Sequence, residues 1–148
     1  MKEIKLLKRR NSIGGDVFKI VFLGYINLKR KSSICNYKKR LKMVIVNFDY
    51  GKKKFKIRAD ECRGFISKAR GLIFQKNPKA LMFIFTSKTQ QSIHSFFCKP
   101  FVAIWFYKGK VVDKQHVDPW RFSVKPKKKF DRLLEIPEGC KGYRSLSR

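Results

Sequence analysis

The sequence predicts a mainly β protein, a compact antiparallel sandwich or barrel with one short α-helix. Three observations support this fold class. Apolar residues occur in short, often alternating runs separated by glycine, proline or lysine clusters, which is typical of strands and turns. Hydrophobic residues make up 43% of the 148 positions, and 14 of them are phenylalanine, so a buried core is possible. The length fits one domain.

A first hairpin is predicted around Gly51. The apolar run 43–48 and the alternating run 55–59 lie on either side of Tyr50-Gly51 and a lysine cluster. We therefore expect two paired strands there, joined through the glycine.

A second hairpin is predicted around Gly109. Residues 101–107 and 111–112 flank Lys108-Gly109, and glycine adopts the positive φ of a tight turn without steric cost. The continuous apolar run 81–85 is typical of a buried strand, and a last apolar segment, 133–136, ends before Pro137.

One short helix is predicted near residues 60–70. Asp60 is suited to cap its first turn, and Gly71 to end it. Basic side chains near the C-terminal end of this helix would interact favourably with the helix dipole. The apolar face of this helix would consist of Cys62, Phe65, Ile66 and Ala69.

We divide the chain into a loose basic extension, residues 1–15, and a single β-rich domain, residues 16–148. The apolar run 17–26 follows basic residues, as in a signal peptide. However, it contains Lys19, no small-residue cleavage pattern follows it, and it is about half as long as a membrane span. We interpret it as a strand, and we expect no transmembrane segment and a cytoplasmic location.

The charge is strongly positive: 37 basic residues against 10 acidic ones give a net charge of +27. One interpretation is a polyanion partner, which could be RNA, DNA or an anionic membrane surface. The other is biased composition, because the excess is mostly lysine and phosphate recognition favours arginine. The candidate polyanion contacts form two clusters: Lys29, Arg30, Lys31, Lys38, Lys39, Arg40 and Lys42 in the first, and Lys125, Lys127, Lys128 and Lys129 in the second.

Residues 59–139 resemble the uncharacterised family called domain of unknown function 192. The resemblance rests on five blocks in the family's order. It implies a compact, mainly antiparallel β fold with a short helix, and it implies no activity, because that of the family is undefined. The blocks are Arg70-Gly71-Leu72-Ile73-Phe74, Ala80-Leu81-Met82-Phe83-Ile84-Phe85, Ser92-Ile93-His94-Ser95-Phe96-Phe97, Pro119-Trp120-Arg121 and Leu134-Glu135-Ile136-Pro137-Glu138-Gly139.

Three positions depart from this resemblance. Cys98 and Ile73 stand where the family favours methionine, and Ala103 stands where it usually has aspartate. If that aspartate holds a ligand or orients His94 in other members, Ala103 removes the capacity from this chain.

Aromatic residues are crowded into the last part of the chain, and two interpretations are open. They are a stacking platform for bases, or they are the core of a β fold, which the alternation of residues 101–107 favours. Trp120 is the least core-like, because it lies between Pro119 and Arg121. The candidate ligand pocket comprises His94, Trp105, Trp120 and Arg121.

No catalytic, metal or cofactor site is predicted. The four cysteines match no zinc spacing and are interpreted as reduced thiols, and there is no glycine-rich phosphate loop. Nucleophilic catalysis by Cys98 or Cys62 would need His94 or His116 beside the thiol. The orienting acid would be a residue such as Asp113 or Asp118. Asp131, Glu135 and Glu138 are expected to offset nearby lysines and Arg132.

Two functions from different classes follow. The first is a non-enzymatic binding module with an unknown ligand or partner. The alternative is a nucleic-acid-associated protein whose lysine clusters contact phosphates and whose exposed aromatic rings stack on bases.

Overall fold

The strands form where apolar runs lie between turn residues. The computed structural model describes residues 42–63, 72–73 and 77–148, all within one compact unit of the chain, Arg40–Arg148. These residues form six strands and a short helix: β1 (Met43–Tyr50), β2 (Lys53–Cys62), β3 (Leu81–Thr89), β4 (Phe101–Tyr107), β5 (Lys110–Val117), β6 (Phe130–Pro137) and α1 (Tyr143–Leu146).

The strands make one sheet in the order β1-β2-β3-β6-β4-β5. Neighbours are antiparallel except β2 and β3, which run parallel where Asp60 lies opposite Leu81. The sheet is a nearly closed barrel whose edge strands, β1 and β5, approach each other. No hydrogen-bonded ladder joins these two strands in the described part of the chain. The prediction of a mainly β, barrel-like domain is confirmed.

Both predicted hairpins are present. β1 and β2 pair along their whole length around Gly51, whose φ is +61°. β4 and β5 are joined by Lys108 and Gly109, with φ of +51° and +78°, as a tight hairpin turn requires. β5 continues to Val117, well beyond the apolar pair from which it was predicted, because an edge strand tolerates polar residues.

Two apolar clusters lie on opposite faces of the sheet, so successive residues of β4 alternate between them. The inner core lies inside the barrel, where Phe48 of β1 contacts Phe106 of β4 edge-to-face at 5.4 Å. The outer core is covered by the loops after β3 and β5, which meet at the bridge between Ile93 and Val124. In β4 the inner residues are Val102, Ile104 and Phe106, and the outer ones are Phe101, Ala103 and Trp105.

The predicted start of the helix near residues 60–70 is wrong. Asp60 and Cys62 belong to β2, because this strand continues past its hairpin partner and pairs in parallel with β3. Residues 64–71 lie outside the described part. The short helix of the described fold is α1, whose Leu146 packs in the inner core.

The expected boundary between an extension, 1–15, and a domain, 16–148, also lies outside the described residues. So do the predicted strand 17–26 and six of the seven basic residues of the first cluster. Within the described part, no helix is long and apolar enough to cross a membrane.

Candidate functional site

Ser95 joins the two loops that cover the outer core. It is fully buried. Its Oγ donates a hydrogen bond to the carbonyl of Asp118 at 2.6 Å and accepts one from the N–H of Arg121 at 2.8 Å. Its own N–H donates to the carbonyl of Arg121 at 3.0 Å, and its carbonyl accepts from the N–H of Trp120 at 3.1 Å. The side chain, the N–H and the carbonyl of this one residue thus fix the backbone of residues 118–121.

This network holds two aromatic residues in a left-handed backbone conformation. Phe97 has φ of +58° and Trp120 has φ of +65°. Such angles are uncommon for bulky residues and cost about 1–2 kcal/mol each. The N–H of Cys98, the residue after Phe97, donates to the carbonyl of Ser95 at 3.3 Å. The N–H of Trp120 donates to the same carbonyl. The surrounding hydrogen bonds therefore maintain a conformation that the aromatic residues would not choose alone.

The consequence is an exposed cluster of rings, the aromatic surface, formed by Phe96, Phe97, Trp120 and Phe122. The exposed fractions are 50% for Phe97, 58% for Trp120 and 80% for Phe122. Phe97 and Trp120 contact edge-to-face at 4.7 Å between ring centroids, and Phe96 and Phe122 do so at 4.9 Å. Arg121, also exposed, lies in sequence between Trp120 and Phe122, whose rings have the largest exposed fractions among the described residues. Contiguous exposed aromatic area of this kind is typical of binding sites.

The four predicted pocket residues occupy three different environments. Trp120 and Arg121 are exposed, and His94 lies behind Phe96, with 5.2 Å between ring centroids. Trp105 is fully buried in the outer core, where it contacts Phe130 edge-to-face. Trp105 therefore contributes to the core and not to an open surface, because β4 is buried on both faces.

His94 is half-buried, and its Nδ1 has no hydrogen-bond partner in the described structure; the same holds for Trp105 Nε1. Burial lowers the pKa of His94 below its ordinary value. The imidazole is therefore neutral at physiological pH, which suits packing against a ring better than contact with a phosphate.

Cys98, one of the two candidate nucleophiles, is held as a thiol. Burial, and next the nearby Glu135 carboxylate, raise the pKa of Cys98 to about 12. Its Sγ donates to the carbonyl of Phe96 at 3.4 Å. A reactive cysteine needs the opposite shift.

The other histidine does meet one of its predicted acids. His116 Nδ1 lies 3.5 Å from an Asp118 carboxylate oxygen, while His116 Nε2 lies 3.0 Å from the hydroxyl oxygen of Tyr143 in α1. The partner on its second nitrogen is thus a tyrosine and not a cysteine. Among the described residues, no three His, Cys, Asp or Glu side chains are placed to hold a metal ion.

Glu135 is an ionisable residue whose predicted role is wrong. It was expected to offset lysines, but it is buried in the middle of β6, between Leu81 of β3 and Ala103 of β4. Burial raises its pKa to about 8. The signal in the sequence is its position within the apolar segment 133–137 of β6, where Leu134 and Ile136 face the inner core and Glu135 must face the other way.

The second lysine cluster lies in the loop between β5 and β6, where Lys125, Lys127, Lys128 and Lys129 are all exposed. Asp113 of β5 fixes this loop, since its Oδ2 accepts the N–H of Lys127 at 2.9 Å. Of the first cluster, Lys42 is described and exposed; Lys29, Arg30, Lys31, Lys38, Lys39 and Arg40 lie outside the described residues.

A comparison with models of known protein families finds no match. Two curated archaeal proteins are similar to the chain. A UPF0127 protein of Pyrococcus horikoshii is 37% identical over 81 residues, covering 52% of this chain and 70% of its own. The chain belongs to the UPF0127 family. A second UPF0127 protein, from Pyrococcus furiosus, is 31% identical over 91 residues, with 59% and 78% covered.

Two solved structures share the fold of this UPF0127 protein. A protein of unknown function from Novosphingobium aromaticivorans superposes with a TM-score of 0.61 at 16% identity, covering 70% of this chain and 79% of the other. A candidate transcription regulator from Sinorhizobium meliloti has a TM-score of 0.57 at 10% identity, with 66% and 81% covered. At these identities the likeness concerns the fold. The family is uncharacterised, so function has to be argued from the surface of the molecule.

Proposed function

We propose that this UPF0127 protein is a non-enzymatic binding protein that holds its ligand on the aromatic surface. The observation that carries the proposal is the pair of positive φ angles at Phe97 and Trp120. A fold that needed these rings only for packing would bury them in relaxed backbone. Here strained backbone is maintained by Ser95, and both rings remain at least half exposed.

The chemistry of the surface indicates the class of ligand. Rings that meet at 69° and 81° form ridges with apolar clefts between them, which suit a flat apolar group. Arg121 adds a cation beside these rings. We therefore expect a ligand that combines a flat apolar part with an anionic group. His94 supports the surface from behind Phe96, and Trp105 supports the core beneath.

Binding without catalysis is favoured by the state of the nearby ionisable groups. At neutral pH Cys98 is a thiol and His94 is uncharged, as their pKa shifts indicate. A thiol is not matched to nucleophilic work at that pH, and an uncharged His94 has no second ring proton to give as a general acid.

The experiment uses anilinonaphthalene sulfonate, a fluorescent probe with flat rings and one anionic group. We expect Trp120→Ala and Phe122→Ala each to weaken its binding at least about fivefold, because stacking on a ring is worth roughly 1 kcal/mol or more. Met43→Ala is the matched control, since Met43 is an equally exposed apolar residue (61%) on β1. Circular dichroism checks that each variant is folded. Unchanged affinity in both ring variants, or equal loss in Met43→Ala, would contradict the proposal.

The second candidate function is association with nucleic acid, favoured by the exposed lysines of the described surface and the net charge of +27. Submicromolar binding near physiological ionic strength, with a steep fall in affinity as salt increases, would support it. Binding seen at very low salt alone, or an affinity that does not depend on salt, would exclude it.

We infer that the chain has the architecture of domain of unknown function 192, because two blocks of that resemblance, Ser92-Ile93-His94-Ser95-Phe96-Phe97 and Pro119-Trp120-Arg121, are the segments that Ser95 joins. We also propose a cytoplasmic location, which fractionation of the source cells tests.

A further inference from the structure

The nearly closed barrel leaves a groove where its two edge strands meet. The groove has a volume of about 760 Å³, within the size range of ligand sites. It lies between the end of β1 and the beginning of β5, and the loop before β6 forms part of its wall. Its basic lining comprises Lys110, Lys114, Lys127 and Lys128, and its aromatic lining comprises the exposed Tyr50 and the buried Phe48.

The groove has more lysines than carboxylates, and an anion bound there would experience this positive charge. Four lysines face two carboxylates, those of Asp49 and Asp113. Asp113 is already occupied by donors: Oδ2 accepts from the N–H of Lys127 and from Gln115, and Oδ1 accepts from the N–H of Lys114. Asp49 lies opposite Lys54 across the β1–β2 ladder. An anion in the groove would therefore meet mainly lysine ammonium groups.

The four lysines do not have the same role. Lys114 Nζ donates to the carbonyls of Leu146 and Arg148 at 2.8 and 2.9 Å, so it holds the segment after α1 against β5. Lys110, Lys127 and Lys128 are exposed, and no ion pair of theirs is present in the described structure. These three can contact a ligand without giving up an internal bond.

The groove also contains an aromatic ring. The side chain of Tyr50 is 39% exposed, and Lys114 Nζ lies 4.9 Å from the centroid of its ring. Because Lys114 is itself held in place, this cation–π contact orients the ring. A positive groove with an oriented ring is the combination with which proteins hold single strands: lysines follow the phosphates and the ring stacks on a base.

We propose that this groove between β1 and β5 binds single-stranded nucleic acid. Lys110, Lys127 and Lys128 contact the phosphates, and Tyr50 stacks on a base. The inference rests on the second function proposed above and adds its site. It is independent of the aromatic surface. A duplex keeps its base faces stacked inside, so it would use the lysines and not the ring.

The test is fluorescence anisotropy of a labelled oligothymidylate of roughly 12 nucleotides with the full-length protein near physiological salt. The triple variant Lys110→Ala/Lys127→Ala/Lys128→Ala should weaken binding at least about tenfold and lower the slope of log affinity against log salt by about 2. The control is Lys79→Ala/Lys99→Ala/Lys141→Ala, three exposed lysines outside the groove lining. It removes the same charge, and we expect less than about a threefold change.

Tyr50→Ala separates stacking from charge. We expect it to weaken binding of the single strand at least about fivefold without changing the salt slope, and to leave binding of a duplex of the same length unchanged. Equal losses of affinity in the two triple variants would overturn the groove as the binding site, even if salt-dependent binding itself were present. Equal binding of polyglutamate would overturn nucleic acid as the occupant. Absence of salt-dependent binding in the wild type would instead remove the second function on which the site rests.

Discussion

A buried carboxyl group in the middle of a sheet is costly unless it is neutral. Glu135 faces the outer core with Leu81 and Ala103 as its strand neighbours, and burial raises its pKa to about 8. The side chain is therefore protonated in the folded protein at neutral pH. In the unfolded chain it would ionise near its ordinary pKa of 4.5.

This difference predicts how stability depends on pH. Between pH 4.5 and about 8 the folded state keeps a proton that the unfolded state has lost, so the free energy of unfolding falls by roughly 1.4 kcal/mol per pH unit. Below pH 4.5 and above about 8 Glu135 adds no slope. We expect Glu135→Gln to unfold at higher urea concentration than the wild type at pH 8 and to lack this fall.

Urea unfolding at several pH values measures the effect. Glu138→Gln is the control, because Glu138 is an exposed carboxylate close to Glu135 in the chain. A wild type and a Glu135→Gln variant with the same pH profile would show that the carboxyl group is already ionised in the folded protein.

Ser95 is the second residue whose chemistry can be tested alone. Ser95→Ala removes the hydroxyl that bonds Asp118 and Arg121, and it leaves a backbone N–H without its partner. We expect a loss of about 1–3 kcal/mol in the free energy of unfolding, and weaker binding of anilinonaphthalene sulfonate. Ser92→Ala, at an exposed serine of the same loop, should change stability by less than about 0.5 kcal/mol. Equal stabilities for the two variants would contradict the role of Ser95.

Among the elements, the strands were predicted well because each carries its own signal. β4 is apolar throughout since it faces two cores, and both hairpins contain a glycine whose φ is positive. The extension of β2 into Asp60 and Cys62 could not be predicted. Asp60 is as well suited to cap a helix, and Cys62 to lie on an apolar helical face, as either is to a strand. Their parallel partner, β3, is distant in sequence.

The helix α1 offers a test at this scale. Its preceding residue, Gly142, has φ of +93°, and a Cβ there would lie 2.6 Å from Ile57 Cδ1 in the inner core. Gly139 has a similar φ of +89° and open space around it. Both alanine variants should lose about 1 kcal/mol to backbone strain, and Gly142→Ala should lose more, because the Cδ1 end of the buried Ile57 has to move aside. Chemical denaturation compares them, and equal losses would show that α1 does not dock tightly.

At the scale of the whole molecule, the candidate site divides into a predictable and an unpredictable part. The loop position of Trp120 between Pro119 and Arg121 marks it as exposed, and the structure agrees. The contacts of Phe97 with Trp120 and of Phe96 with Phe122 depend on Ser95, whose hydrogen bonds cross from one loop to the other. No periodicity encodes such a contact. The groove between β1 and β5 likewise exists because the sheet curls, which brings lysines of separate segments together.

The two tryptophans of the chain allow the most direct test of the binding site. Trp120 is exposed at the aromatic surface, whereas Trp105 is buried in the outer core. A two-dimensional nitrogen–proton correlation NMR spectrum therefore contains two indole N–H signals, and the Trp120→Phe variant assigns them. On titration with anilinonaphthalene sulfonate, we predict that the Trp120 signal shifts to saturation while the Trp105 signal stays in place. A Trp120 signal that does not move, or a shift confined to Trp105, would contradict a ligand site on the aromatic surface.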